Sequence, residues 1–245
     1  MRRNLTDTTF VIPFFKDSEE RLENLQCIMK YISDNFETNV IIVESTPKLG
    51  EIEGMSMSGE RVQYYYINQD GPIFHRTKVI NAGIKKATTP YVSIYDTDCV
   101  FNPEQILDAV KLLREGADAC YPYGGDFVDI ERSYITYGII KERESFAKES
   151  VGGVVFLNRL RYKEAGLENE HLISHAPEDV ERYCRMLVLE YKVERVPGKC
   201  WHITHSRGVN SGPHHPHVQA NTKEYLKVRS LEKEDLKNYI KTWGW

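Results

Sequence analysis

Three places in the sequence gather side chains of the kind that do polar chemistry. Asp96-Thr97-Asp98 sets two carboxylates two residues apart in extended chain, so both point to one side and can share a divalent cation. Such a tripeptide also occurs in solvated turns. Here it follows the apolar run Tyr91-Val92-Ser93-Ile94-Tyr95 and leads into Cys99-Val100-Phe101, the position of groups delivered by the end of a buried strand. His202 and His205 lie far down the chain and would add imidazole nitrogens, completing a mixed oxygen and nitrogen site suited to manganese or a similar ion. Their spacing sends side chains to opposite faces of a strand, so both reach one ion only if the strand ends between them; otherwise one is a ligand and the other a surface histidine. Glu178-Asp179 open a helix, where carboxylates complement the macrodipole with no further role. The preceding His175-Ala176-Pro177 and the upstream Gly152-Gly153 nevertheless frame a pocket in which one of them can act as a general base.

The elements that must position these groups can be read from hydrophobic periodicity. Thr9 to Phe15 (TFVIPFF) is a buried strand, followed by a helix from Ser18 to Asn35 with Leu22, Leu25, Ile28, Met29 and Ile32 at helical spacing. Asn39 to Glu44 and Val62 to Ile67 are further strands, Arg76 to Ala87 is a helix, and Tyr91 to Tyr95 is the fourth strand. This alternation predicts an α/β fold with a mostly parallel central sheet and helices on both faces. In such sheets ligands bind beyond the carboxyl ends of the strands, which places Glu44 and Asp96 to Asp98 in one crevice. Later segments read as a helix from Asn102 to Glu115, a charged helical stretch near Lys141 to Lys148, and a strand from Val151 to Leu157. A helix from Pro177 to Glu190 and a strand from Val193 to Val196 follow, and Gly208 to His217 is a loop and a candidate lid. The organisation expected is one catalytic domain over residues 1–221 and an amphipathic helix over 222–245.

Composition narrows the function. A chain of 245 residues, 41% hydrophobic, supports one sizeable domain, and a net charge of −4 argues against a general nucleic-acid binder. The five cysteines, Cys27, Cys99, Cys120, Cys184 and Cys200, form no CxxC pair and indicate neither a disulfide framework nor a cysteine zinc site, which fits a cytoplasmic setting. No segment has the apolar length of a membrane span. Lys223, Lys227, Arg229, Lys233, Lys237 and Lys241 beside the apolar stripe of the tail offer a peripheral contact with an anionic membrane at its inner face, the alternative being a helix packed on its own domain.

A family resemblance rests on Ile12-Pro13-Phe14 with Glu19-Glu20-Arg21-Leu22, Phe74-His75-Arg76-Thr77-Lys78-Val79-Ile80-Asn81, Asp96-Thr97-Asp98, Glu178-Asp179 and His202-Ile203-Thr204-His205-Ser206-Arg207, in this order. With these the chain resembles the β-galactosyltransferases of the Golgi and their relatives, among them polypeptide N-acetylgalactosaminyltransferases and bacterial chondroitin-type polymerases. The resemblance implies a GT-A fold, a UDP-sugar donor with galactose type favoured, a glycan or lipid-linked saccharide acceptor, and Mn2+ (or Mg2+). It implies that Pro13 and Phe14 line the uridine site, that Glu44 lies near base or ribose, and that Phe74 and Arg76 hold the nucleotide. Asp96 would face the ribose and metal, and Asp98 and His205 would ligate the metal, with His202 where the Golgi enzymes have a methionine ligand. Glu178 would bind acceptor and donor sugar, and Asp179 would be the base of an inverting, single-displacement transfer. Phe15 stands where those enzymes carry arginine, and Ser174-His175-Ala176-Pro177 replaces their tryptophan and glycine pair, which leaves one phosphate contact and the acceptor open. The competing readings are a sugar-1-phosphate nucleotidyltransferase, disfavoured because Thr9 to Lys16 holds no glycine, a non-catalytic glycan-binding partner subunit, and a zinc hydrolase, disfavoured by the lack of HExxH.

Overall fold

The structure, a computed structural model, describes residues 1–47, 52, 61–136, 142, 145–174, 177–206, 208–210 and 215–245. Its centre is β1 (Arg3–Phe14), whose residues from Phe10 to Phe14 are buried because the sheet is covered on both faces. Ser18 then caps α1 (Glu19–Asn35) by accepting from the Arg21 amide at 3.2 Å, with Glu19 and Glu20 in the first turn where the helix dipole favours them. The chain continues through β2 (Phe36–Thr46), β3 (Val62–Asn68), α2 (Arg76–Lys86), β4 (Tyr91–Tyr95) and β5 (Cys99–Val100). Asn102 and Gln105 form a capping box at the start of α3 (Pro103–Arg114). Beyond it come β6 (Ala119–Tyr121), β7 (Asp126–Ile130), α4 (Arg132–Thr136), β8 (Ser145–Ala147), β9 (Val154–Asn158) and α5 (Arg159–Glu164). The chain closes with α6 (Glu178–Val188), β10 (Val193–Arg195), β11 (Lys199–Ile203), α7 (Val218–Ser230) and α8 (Lys233–Ile240).

The main sheet has the order β10-β6-β9-β4-β1-β2-β3. It is parallel except at β9, which runs antiparallel to both β4 and β6. Pairing of β4 with β1 stops at Val11, whereas β2 follows β1 as far as Phe14. Pro13, which cannot donate to a ladder, therefore lies where β1 has outrun one neighbour and the strands diverge into a cleft.

A second sheet, β5-β11-β7-β8, was not foreseen from periodicity. It pairs His202 with Cys99 antiparallel and His202 with Asp129 in parallel register, which carries the late histidines to the aspartates at the end of β4. Two further expectations are corrected. The charged stretch near Lys141 to Lys148 contains a strand, β8, because pairing of Phe127 with Ala147 overrides a helix-like composition. The tail is two helices rather than one: Leu231 and Glu232 are extended, and this break turns both Val228 and Leu236 inward. Trp243 is also buried, and Leu231, Tyr239, Ile240 and Trp245 pack partly buried against the core. No helix among the described residues is long and apolar enough to cross a membrane.

Candidate active site

The ends of β1 and β4, the small sheet and the start of α6 surround a cleft of about 500 Å³. Pro13, Phe14, Phe74 and Arg76 line one wall, and Asp96, Asp98, Glu178, Asp179, His202 and His205 line the rest. Glu44 is the exception. It lies beside Phe14 in the sheet but is not among the lining residues; its carboxylate is 1% exposed and accepts from the Tyr64 hydroxyl. Glu44 sits in β2, which continues to Thr46, so its side chain is held inside the sheet's packing rather than released at a strand end. Of the pocket frame, Pro177 lines the cleft, while His175 and Ala176, like Arg207 and residues 211–214 of the candidate lid, lie outside the described residues. Asn210, at the near end of that loop, lines the cleft, accepts from the Phe74 amide at 2.7 Å and donates to the Pro72 carbonyl at 2.7 Å.

Strand β11 ends at Ile203, between the two histidines, which is the condition under which both can face one ion. Ligand atoms of Asp98, His202 and His205 lie within 4.8 Å of one another. His205 Nε2 is 3.2 Å and His202 Nε2 3.8 Å from Asp98 Oδ2. Each imidazole is oriented through its other nitrogen: His205 Nδ1 meets the Ser206 carbonyl at 2.7 Å and His202 Nδ1 meets Asp129 Oδ1 at 2.8 Å. With Nδ1 carrying the proton, Nε2 presents its lone pair to the cleft, as a metal ligand requires. One carboxylate oxygen and two imidazole nitrogens converging on one point are a donor set that fits Mn2+ and related ions. Arg21 also reaches this point, donating to Asp98 Oδ2 at 2.8 Å. Burial pushes the Asp98 carboxyl up, but His202, His205 and Arg21 together more than reverse this and hold it well below the usual carboxylate range. When Nε2 of His205 instead carries a proton, its hydrogen bond to Asp98 raises the His205 pKa.

Arg76 joins the two sides of the cleft. Its guanidinium donates to Asp96 Oδ1 at 2.6 Å and lies 3.5 Å from both Glu178 Oε1 and Asp179 Oδ1. Burial alone would lower its pKa, yet Asp96, Asp179 and Glu178 raise it, so it stays charged. Glu178 is pushed up to about 7 by burial and by Asp179, with Arg76 pulling the other way. Gly152 lies against Asp179: a Cβ there would sit 3.2 Å from Oδ2. Its neighbour Gly153 has φ +78°, and its carbonyl accepts from the Asp96 amide at 3.0 Å. Phe15, at the position where the resemblance expects arginine, stacks on Phe74 with centroids 5.5 Å apart, replacing a charge at the wall by an aromatic pair. Arg21, Asp129 and the buried Arg182 behind Asp179 carry no role in the sequence reading. Arg21 stood inside a matching motif, and only that position pointed to it.

The model of the family described as Glycosyl transferase family 2 matches residues 9–168. The chain belongs to this family. The family assignment sets aside the nucleotidyltransferase and hydrolase readings. The match takes in Asp96 to Asp98 and stops short of Glu178, Asp179 and the histidines. An uncharacterized glycosyltransferase of Rickettsia felis is 26% identical over 110 residues, 45% of this chain and 18% of that protein. One of Rickettsia conorii is 26% identical over 112 residues, again 18% of its length. This family 2 chain thus matches under a fifth of those curated relatives. Among solved structures, the catalytic domain of Drosophila beta1,4galactosyltransferase 7 in complex with xylobiose superposes with a TM-score of 0.51 at 14% identity, covering 77% of this chain and 63% of that one. GalNAc-T7 with UDP, GalNAc and Mn2+ superposes with a TM-score of 0.65 at 13% identity, covering 95% and 50%. At such identities the likeness shows the fold, and the fold is GT-A.

Proposed function

We propose that this glycosyltransferase is metal-dependent and inverting, moving a hexose or N-acetylhexosamine, galactose type favoured, from a UDP-sugar to a hydroxyl of a glycan or lipid-linked saccharide. The observation that carries the reading is the convergence of Asp98, His202 and His205 on one side of a cleft whose other side presents Asp179, with Arg76 spanning the two. Solved relatives of the same fold were obtained with manganese and UDP-Gal or with UDP, GalNAc and Mn2+, which supports the choice of donor and ion. A divalent cation held by Asp98, His202 and His205 would neutralise charge growing on the leaving diphosphate. Pro13, Phe14 and Phe74 provide an apolar wall for a nucleobase, and Asp96, fixed by Arg76, faces the ribose. Asp179 takes the proton of the acceptor hydroxyl as it attacks the anomeric carbon from the face opposite the diphosphate. Glu178, titrating about neutral pH, both donates to and accepts from sugar hydroxyls.

A membrane-borne acceptor would be approached through the exposed cations Lys223, Lys227 and Arg229 of α7, since Leu236 and Trp243 are packed inside. The test is titration calorimetry with UDP. Binding should require Mn2+ and should weaken at least about tenfold in Asp98→Ala, a lost carboxylate ligand; equal affinity with and without the ion overturns the reading.

A further inference from the structure

Arg182 lies on α6 one turn beyond Asp179, 1% exposed and outside the cleft. It donates from Nη2 to Asp179 Oδ1 at 2.5 Å and from Nη1 to Glu168 Oε1 at 2.9 Å. Glu168 is itself 1% exposed and held from several sides. The Tyr162 hydroxyl donates to its Oε1, its amide donates to Asn81 Oδ1 at 2.8 Å, and its carbonyl accepts from Asn81 Nδ2 at 3.0 Å.

A fully buried guanidinium loses its hydration, and a single ionised partner would compensate it. Here two carboxylates share it, one anchored in the core and one at the cleft. Because the guanidinium is planar and rigid, fixing one edge on Glu168 fixes where the other edge points. Both arginines near Asp179, Arg182 and Arg76, approach the same oxygen, Oδ1, whereas Oδ2 lies beside Gly152 at the cleft wall. We propose that Arg182 is a positioning residue for Asp179: anchored by Glu168, it sets the carboxylate's orientation and turns Oδ2 toward the acceptor. The inference rests on Asp179 being the base.

The experiment uses the full chain and measures UDP release from UDP-galactose with Mn2+, alongside UDP affinity with Mn2+ by calorimetry and thermal melting. Arg182→Lys keeps the charge but cannot span both carboxylates. It should release UDP roughly tenfold more slowly or worse, as misplacing a reacting group does, while UDP affinity stays within about twofold. The double variant Asp179→Asn/Arg182→Lys should be no slower than Asp179→Asn alone, since the arginine acts only through the aspartate. A merely structural arginine would lower UDP affinity and melting temperature along with the rate and would slow Asp179→Asn further. Wild-type release by a folded Arg182→Lys, with Asp179→Asn inactive, overturns the proposal. Retained release by Asp179→Asn, or none by the wild type, instead overturns the underlying reading of Asp179 and its donor. Should Arg182→Lys fail to fold, Glu168→Gln, which loosens the anchor and keeps the arginine, is expected to show the same split, and wild-type kinetics there overturn the proposal.

Discussion

The carboxylate of Asp129 never touches the cleft, yet it decides how His202 is presented. By accepting from Nδ1 at 2.8 Å it fixes the ring and makes Nε2 the electron-rich nitrogen. Asp129→Asn should therefore cost about tenfold in Mn2+ affinity with little change in melting temperature; calorimetry with Mn2+ alone giving wild-type affinity would show that His202 does not bind the ion. Glu178 makes a prediction about pH. Its carboxyl is raised from 4.5 to about 7 by burial and by Asp179, so the fold favours the neutral form. That stabilisation is fully present below about 4.5 and is lost as pH rises through about 7. Glu178→Gln, a mimic of the neutral form, should melt about 5 °C above the wild type at pH 8, and the gain should shrink toward zero at pH 5. A gain independent of pH would mean that Glu178 is ionised throughout. The residues found from the sequence, Asp98, His202, His205, Glu178 and Asp179, are those whose type and local context announce chemistry. Asp129 and Arg182 could not be found that way, because their meaning lies in a partner: Asp129 is 73 residues from His202 and becomes relevant only through strand register.

At the scale of elements, the candidate metal ligands meet because β5 and β11 pair antiparallel just after Asp98. The strands and helices that deliver Pro13, Arg76, Asp96 and Glu178 are legible from hydrophobic period and composition, but β11, which carries His202, is not. Periodicity carries no information on direction or partner, however, so the antiparallel run of β9 and the small sheet were not legible. Glu44 shows why: the apolar run ends there and predicts a strand end, whereas pairing with β3 carries β2 on to Thr46. Gly153 tests how tightly the two sheets are joined. It adopts φ +78°, and a Cβ would stand 2.7 Å from Cys99 Sγ and 2.9 Å from Phe127 Cε2. Gly153→Ala should then cost about 2 kcal/mol or more in denaturant unfolding, from backbone strain and from the clash. Since Cys99 adjoins Asp98 and faces His202, Mn2+ affinity should fall with it. Unchanged stability would mean that the strand shifts freely, and that the ligands are not held by this packing.

On the scale of the whole molecule the cleft lies between two structures that Arg76 bridges and that each have further supports of their own. The cation side belongs to the small sheet, whereas Glu178 and Asp179 belong to α6, whose far end is fixed through Arg185. This arginine is fully buried, pairs with Glu181 at 2.8 Å and donates to the Leu167 carbonyl at 2.6 Å. Trp243 from the tail packs over it, with the guanidinium 5.2 Å from the ring, and the Trp245 indole donates to the Gly166 carbonyl at 3.2 Å. The tail, which reads in sequence as an amphipathic helix packed on its domain or on a membrane, thus bears on the helix that carries the candidate base. Trp243→Ala removes a large side chain that is 8% exposed. Truncations of this kind cost about 3–5 kcal/mol, which in a chain of this size lowers the melting temperature by about 10 °C. Because the ion's ligands lie on the other structure, Mn2+ affinity below the melting temperature should stay within about twofold, while UDP release from UDP-galactose falls as α6 loosens. The two measurements separate a cleft of independent halves from one that forms as a unit: if Mn2+ affinity drops more than tenfold in folded Trp243→Ala, the tail supports both halves at once, and the division drawn between sheet and helix is wrong.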